Sequence, residues 1–195
     1  MSETAPKDTR TAIIDLAENL MLDRGYCAFS YSAISSDLGI RNAAVHYHFP
    51  GKCDLGVAVV RRSQERFLKW ARDLEASGVG PEERLEAFFR RHMRLLEHER
   101  HVCMGGSLET DYAMLPEPMR AEAREFVSTV LGWWEALLEE GRTKGVFAFP
   151  GEARDQAIVV MSTLQGALQA SRVTDPPCLP AAMEQIRRLM VTGQH

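Results

Sequence analysis

Apolar positions recur along this chain at helical spacing, and no stretch alternates in the manner of a strand. From Thr9 to Arg24, residues Ile13, Ile14, Ala17, Leu20 and Met21 share one face, and Gly25 stops the run. Ser30 is suited to N-cap a short helix that sets Tyr31, Ile34 and Leu38 on one side. Gly39 can turn the chain at positive φ, and Ile40 is expected to pin that turn to the core. Residues 41–49 make a second short helix. It can offer Arg41, Asn42, Ala43, Ala44, His46 and Tyr47 outward, with small alanines where a backbone approaches base edges. The spacing next predicts a long helix over Lys52–Ala76, with Leu55, Val59, Phe67 and Leu74 inward, broken by the Gly and Pro of residues 77–81.

The pattern continues to the end of the chain. Helices are predicted over residues 81–98, 102–114, 120–143, 152–173 and 181–191, with Pro116 and Pro118 in one connection and residues 175–180 in another. The apolar stripes hold Phe88, Phe89 and His92, then Trp133 and Trp134, then Val160, Leu164 and Leu168.

The segment from Ser30 to Leu55, S-Y-S-A-I-S-S-D-L-G-I-R-N-A-A-V-H-Y-H-F-P-G-K-C-D-L, together with Thr9 to Tyr26, resembles the DNA-binding domain of the TetR/AcrR family of bacterial transcriptional repressors. Ile34, Gly39, Ile40, Tyr47, His48, Phe49 and Lys52 stand in the family's register. His46 occupies a position that is commonly tyrosine in the family, and Arg41 one that is commonly Ser or Thr. The resemblance implies an all-α protein of about nine helices. A three-helix helix-turn-helix domain over residues 1–55 would precede a helical ligand-binding and dimerisation domain over residues 56–195. It also implies a homodimer on a palindromic double-stranded operator, with the last two helices of each subunit forming a four-helix bundle. In that setting Arg41 and Asn42 are expected to reach bases, and Tyr47 and Lys52 to reach phosphate. The dimer seam is expected on the apolar and alanine positions of the last two helices, Leu164 among them.

Charge narrows this picture. The net charge is −4, and within the first sixty residues five Lys and Arg face seven Asp and Glu. Bulk electrostatics therefore do not argue for nucleic acid, and the case rests on where Lys7, Arg10, Arg41 and Lys52 sit, at helix starts and turns. No apolar run approaches the roughly 20 residues that span a bilayer, and the N-terminus has no apolar signal region, so a cytoplasmic protein without a membrane partner is expected. Cys27, Cys53, Cys103 and Cys178 form no C-x-x-C pair and fit reduced thiols.

Candidate chemistry lies in the second half. Trp, Phe and Met side chains with a few inward polar groups suit a pocket for a small-molecule effector. The ligand-facing candidates are Phe88, His92, Cys103, Met104, Ser107, Trp133 and Gln165, with Glu109 and Gln169 as further inward polar residues. Each also reads as ordinary core. Cys103, near a helix start, could have a more available thiolate and act as an electrophile or redox sensor, or be a small buried apolar residue. His98, His101 and Cys103 could form half of a metal site, but their spacing matches no strong motif, and neither metal nor cofactor is expected. No Gly-rich phosphate loop, G-x-S-x-G or H-E-x-x-H occurs, so an enzyme is not expected. Two rivals remain beside a ligand-released repressor: a repressor acting through Cys103, and a helical small-molecule-binding protein or enzyme that does not bind DNA.

Overall fold

The computed structural model describes residues 8–97 and 102–191. In chain order these form α1 (Thr9–Arg24), α2 (Tyr31–Leu38), α3 (Asn42–His48), α4 (Lys52–Ala76) and α5 (Pro81–Glu97). They continue as α6 (Met104–Asp111), α7 (Glu117–Thr143), α8 (Ala153–Ala170) and α9 (Leu179–Met190). Short 3-10 turns occupy Tyr26–Ala28 and Tyr112–Met114. Among the described residues there is no strand, only an isolated antiparallel pairing of Phe147 with Val191. No described helix is long and apolar enough to cross a membrane.

The chain divides into two compact units, and chain order does not set the division. The first holds the described residues up to Glu65 together with Met104–Phe126; the second holds Arg66–Cys103 and the residues from Val127 onward. The sequence placed the boundary after residue 55 and assigned everything beyond it to one domain. The structure instead packs α6 with α1 and its following turn.

Within the first unit, the local signals act as their chemistry dictates. The Ser30 hydroxyl accepts from the Ala33 N–H at 3.2 Å and caps α2. Gly39 takes φ +63° and returns its N–H to the carbonyls ending α2, while the Ile40 N–H reaches Ser35. Ile40 itself is only half-buried; Ile34 and Val45 are fully buried and hold the turn. The Tyr31 hydroxyl donates to the Phe49 carbonyl at 2.9 Å and fixes the end of α3 against the start of α2. Arg62 on α4 pairs with Asp15 and Glu18 of α1 at 2.6 and 2.7 Å, and the Ser63 hydroxyl also donates to Glu18. Glu18 is buried, so removing Arg62 would strand a charge in the core.

The second unit buries Leu85, Phe89, Leu137, Leu138, Phe147, Leu164, Leu168 and Leu179. Arg187 of α9 grips Glu86 of α5 at 2.5 and 2.8 Å, and holds that carboxyl below the usual carboxylate range. Two helices begin earlier than their prolines suggested. α7 starts at Glu117 with Pro118 in its first turn, and α9 starts at Leu179 with Pro180 there. A first-turn residue has no intrahelical partner for its N–H, so proline costs the helix nothing at that place.

Candidate functional site

The first unit presents α3 outward. Val45 is fully buried, whereas Arg41, Asn42, Ala43, His46 and Tyr47 are exposed and Ala44 is half-exposed. Tyr47 is 84% exposed, far beyond what a packing role for a tyrosine would leave. The helix is anchored by one face and free on the other, as reading a groove requires. His46 Nδ1 lies 3.4 Å from the Pro50 carbonyl oxygen, and its ring meets Tyr31 edge-on at 4.7 Å. Arg10 stacks over Phe49 at 5.2 Å.

Lys52 departs from the expectation. Its ammonium lies 4.7 Å from the Tyr26 ring and 4.6 Å from the Phe29 ring, and donates to the Cys27 carbonyl at 3.3 Å. Burial lowers its pKa. A cation held between two aromatic faces is already engaged, so in this structure Lys52 braces the turn before α2. Lys7, His98 and His101 lie outside the described residues, so that of the suggested metal half-site only Cys103 is described. Among the described residues no cluster of three His, Cys, Asp or Glu could hold a metal.

In the second unit, Phe88, His92 and Trp133 come together as the sequence suggested. Phe88 stacks on Trp133 at 5.3 Å and on His92 at 4.7 Å. Two further rings of α4 join them: Phe67, which the sequence placed inward but not in this site, and Trp70, which it did not single out. Trp70 lies 5.3 Å from Trp133, and Phe67 lies 6.0 Å from it. Their i, i+3 spacing was a visible signal, but only the fold shows that this face of α4 meets α7. Trp134, wholly buried, closes the group with an edge contact to Phe88 at 4.7 Å; its indole N–H meets no acceptor among the described residues. Trp70 and Trp133 remain half-exposed.

The remaining ligand candidates are distributed over both units. Gln165 is half-buried on α8, and Cys103 is half-buried immediately before α6. Met104 and Ser107 are buried in the first unit, where the Ser107 hydroxyl donates to the Met21 carbonyl at 3.0 Å. Glu109 and Gln169 are exposed, not inward.

Burial pushes the His92 pKa down to about 4, reinforced by the charge of Arg91 and opposed by a bond to the Phe88 carbonyl. His92 is thus neutral at pH 7. Because its folded pKa is depressed, the unfolded chain binds the extra proton between pH 6.5 and about 4. Stability should therefore be lost as the pH is lowered from 6.5 to about 4, at a slope of up to one proton, and His92→Phe should flatten that component. Urea denaturation at pH 4.5, 5.5 and 6.5 reads it directly.

Residues 13–59 match the tetR family of bacterial regulatory proteins. Over 198 residues the chain is 25% identical to the HTH-type transcriptional repressor NemR of Escherichia coli, covering 98% of each. A TetR-family transcriptional regulator from Agrobacterium tumefaciens superposes with a TM-score of 0.89 at 29% identity, covering 94% of this chain and 97% of that one. NemR of Escherichia coli in its reduced form superposes with a TM-score of 0.81 at 22% identity, covering 96% of this chain and 100% of that one. With an outward-facing helix behind a glycine turn, a tetR-family match over residues 13–59 and likeness along the full chain, this protein is similar throughout to DNA-binding transcriptional regulators of the tetR family.

Proposed function

We propose that the protein is a cytoplasmic homodimeric repressor that reads a two-fold operator through α3 and is released by a small apolar or aromatic effector. The observation that supports this best is the outward face of α3, with Tyr47 84% exposed over a fully buried Val45. Arg41 and Asn42 stand at the start of that helix, where side chains reach base edges, and Tyr47 stands where it reaches phosphate. The effector is assigned to the rings of Trp70, Phe88 and Trp133, with neutral His92 behind them. Release requires that the effector bind the DNA-incompetent state more tightly than the competent one.

The test begins with a duplex selected from a random pool by the wild-type protein. Asn42→Ala should cost about 1–3 kcal/mol and relax preference at one position. Tyr47→Ala should weaken binding to all sequences alike. Arg41→Ala should reduce the salt slope by about one if it meets phosphate, whereas Lys52→Ala should leave that slope unchanged. Wild-type affinity in the Asn42→Ala, Tyr47→Ala double variant would remove α3 from the interface.

A second reading is favoured by one observation: NemR, one of the relatives matched over the full length, has been solved in a form called reduced. Cys103, half-buried directly before α6, would then be the residue whose modification releases DNA. Treatment with N-ethylmaleimide should release the wild type from the selected duplex and spare Cys103→Ser.

A further inference from the structure

We infer that Asp111 is a positioning residue for DNA reading: from the end of α6 it holds the turn that sets α2 and α3. The inference rests on the reading of α3 as the DNA-contacting helix, and it begins at the exit of α1. There the chain reverses at Gly25, φ +81°, whose N–H still reaches the Met21 carbonyl at 3.0 Å. The next N–H, that of Tyr26, has left the helix and has no helical acceptor. The Asp111 carboxylate takes it at 2.6 Å, across 85 residues of sequence. An ionised acceptor on a backbone N–H makes one of the stronger hydrogen bonds available to a chain turn. One helical turn earlier on α6, the Ser107 hydroxyl donates to the Met21 carbonyl. Two side chains on one face of α6 therefore hold the α1 exit: Asp111 takes the N–H that has no helical acceptor, and Ser107 adds a second bond to the Met21 carbonyl.

Gly25 is built for this contact. A Cβ there would lie 2.6 Å from the Asp111 carboxylate oxygen, so only glycine admits the approach, apart from its φ. The held turn carries the parts that orient the reader. Tyr26 and Phe29 enclose the Lys52 ammonium, Cys27 accepts from it, and Ser30 caps α2. α2 in turn fixes α3 through the Tyr31 hydroxyl on Phe49. A shift of α6 along its axis would break the Asp111 and Ser107 bonds together and loosen this chain of contacts at its origin.

The experiment uses full-length protein and the selected duplex, with active concentration set by stoichiometric titration so that affinity refers to folded molecules. Asp111→Ala should bind about tenfold more weakly with an unchanged salt slope, because no phosphate contact is lost. Asp111→Asn, which keeps a neutral acceptor, should recover most of that loss. Amide exchange followed by NMR should show the Tyr26 N–H protected in the free wild type and open in Asp111→Ala. Two results overturn the inference: a folded Asp111→Ala with wild-type affinity, or a Tyr26 amide in the wild type that exchanges as fast as an exposed loop. The second measurement stands even if Asp111→Ala does not fold. A wild type that selects no duplex at all would instead remove the DNA reading on which the inference rests.

Discussion

Val159→Asp should turn the protein into monomers and abolish binding to the selected duplex at concentrations where the wild type is saturated. Val159 is 56% exposed on α8 and lies beside Ile158, which is 45% exposed. Ser162, Gly166 and Gln169 continue the same exposed stripe, Val173 is an exposed apolar residue just beyond it, and Leu189 is an exposed apolar residue of α9. Small side chains in the middle of the stripe allow a second helix to come close. In a two-fold interface each substitution occurs twice, so two carboxylates would be buried without partners. An uncompensated buried charge costs about 3–5 kcal/mol, and the pair would exceed what most dimers of this size could absorb. Sedimentation velocity reads the outcome, and a Val159→Asp protein that stays dimeric places the interface on another face. Leu164, expected from the sequence to lie in this seam, is 0% exposed within the single chain. Leu164→Asp should therefore unfold the second unit and would say nothing about the dimer.

Trp134→Ala should destabilise the second unit by about 3–5 kcal/mol, the usual cost of emptying an aromatic site from a packed core. Trp134 is fully buried, and Phe88, Trp133, Leu137 and Leu138 are its aromatic and aliphatic surroundings in the unit and along α7. For a chain of this length the loss corresponds to a fall in Tm of roughly 10 °C. Trp134→Phe should cost much less. It leaves a smaller cavity and also removes an indole N–H that meets no acceptor among the described residues, which offsets part of the lost packing. Trp133 is the contrasting neighbour. It is half-exposed, so Trp133→Ala should stay folded and lose the effector response instead. Thermal denaturation of the three variants, with and without a panel of aromatic compounds, separates the two roles. Equal loss of stability in Trp133→Ala and Trp134→Ala would reduce the cluster to a core.

The helices were legible because their signals are local. Glycine stops, a serine cap and the 3.6-residue period lie within a few positions of what they control. Accordingly α1 and α4 run over the residues their spacing predicted, and Gly39 adopts the turn conformation it was assigned. The outward face of α3 followed from the same logic, since Val45 and Phe49 are the apolar residues that must be buried around it. What the sequence could not carry is contact between distant segments. Asp111 and Ser107 look like ordinary polar residues of a short helix until α6 is seen beside α1. Lys52 reads as a free cation until Tyr26 and Phe29 close around it. α8 is apolar on more than one side, and periodicity gives no means of telling a face that meets its own core from one that meets a partner. The sequence thus determined where helices form, to within a few residues at their ends, and that α3 faces outward. Tertiary packing alone decided which charges are spent internally and which apolar faces remain uncovered, because those outcomes depend on neighbours tens of residues away in the chain.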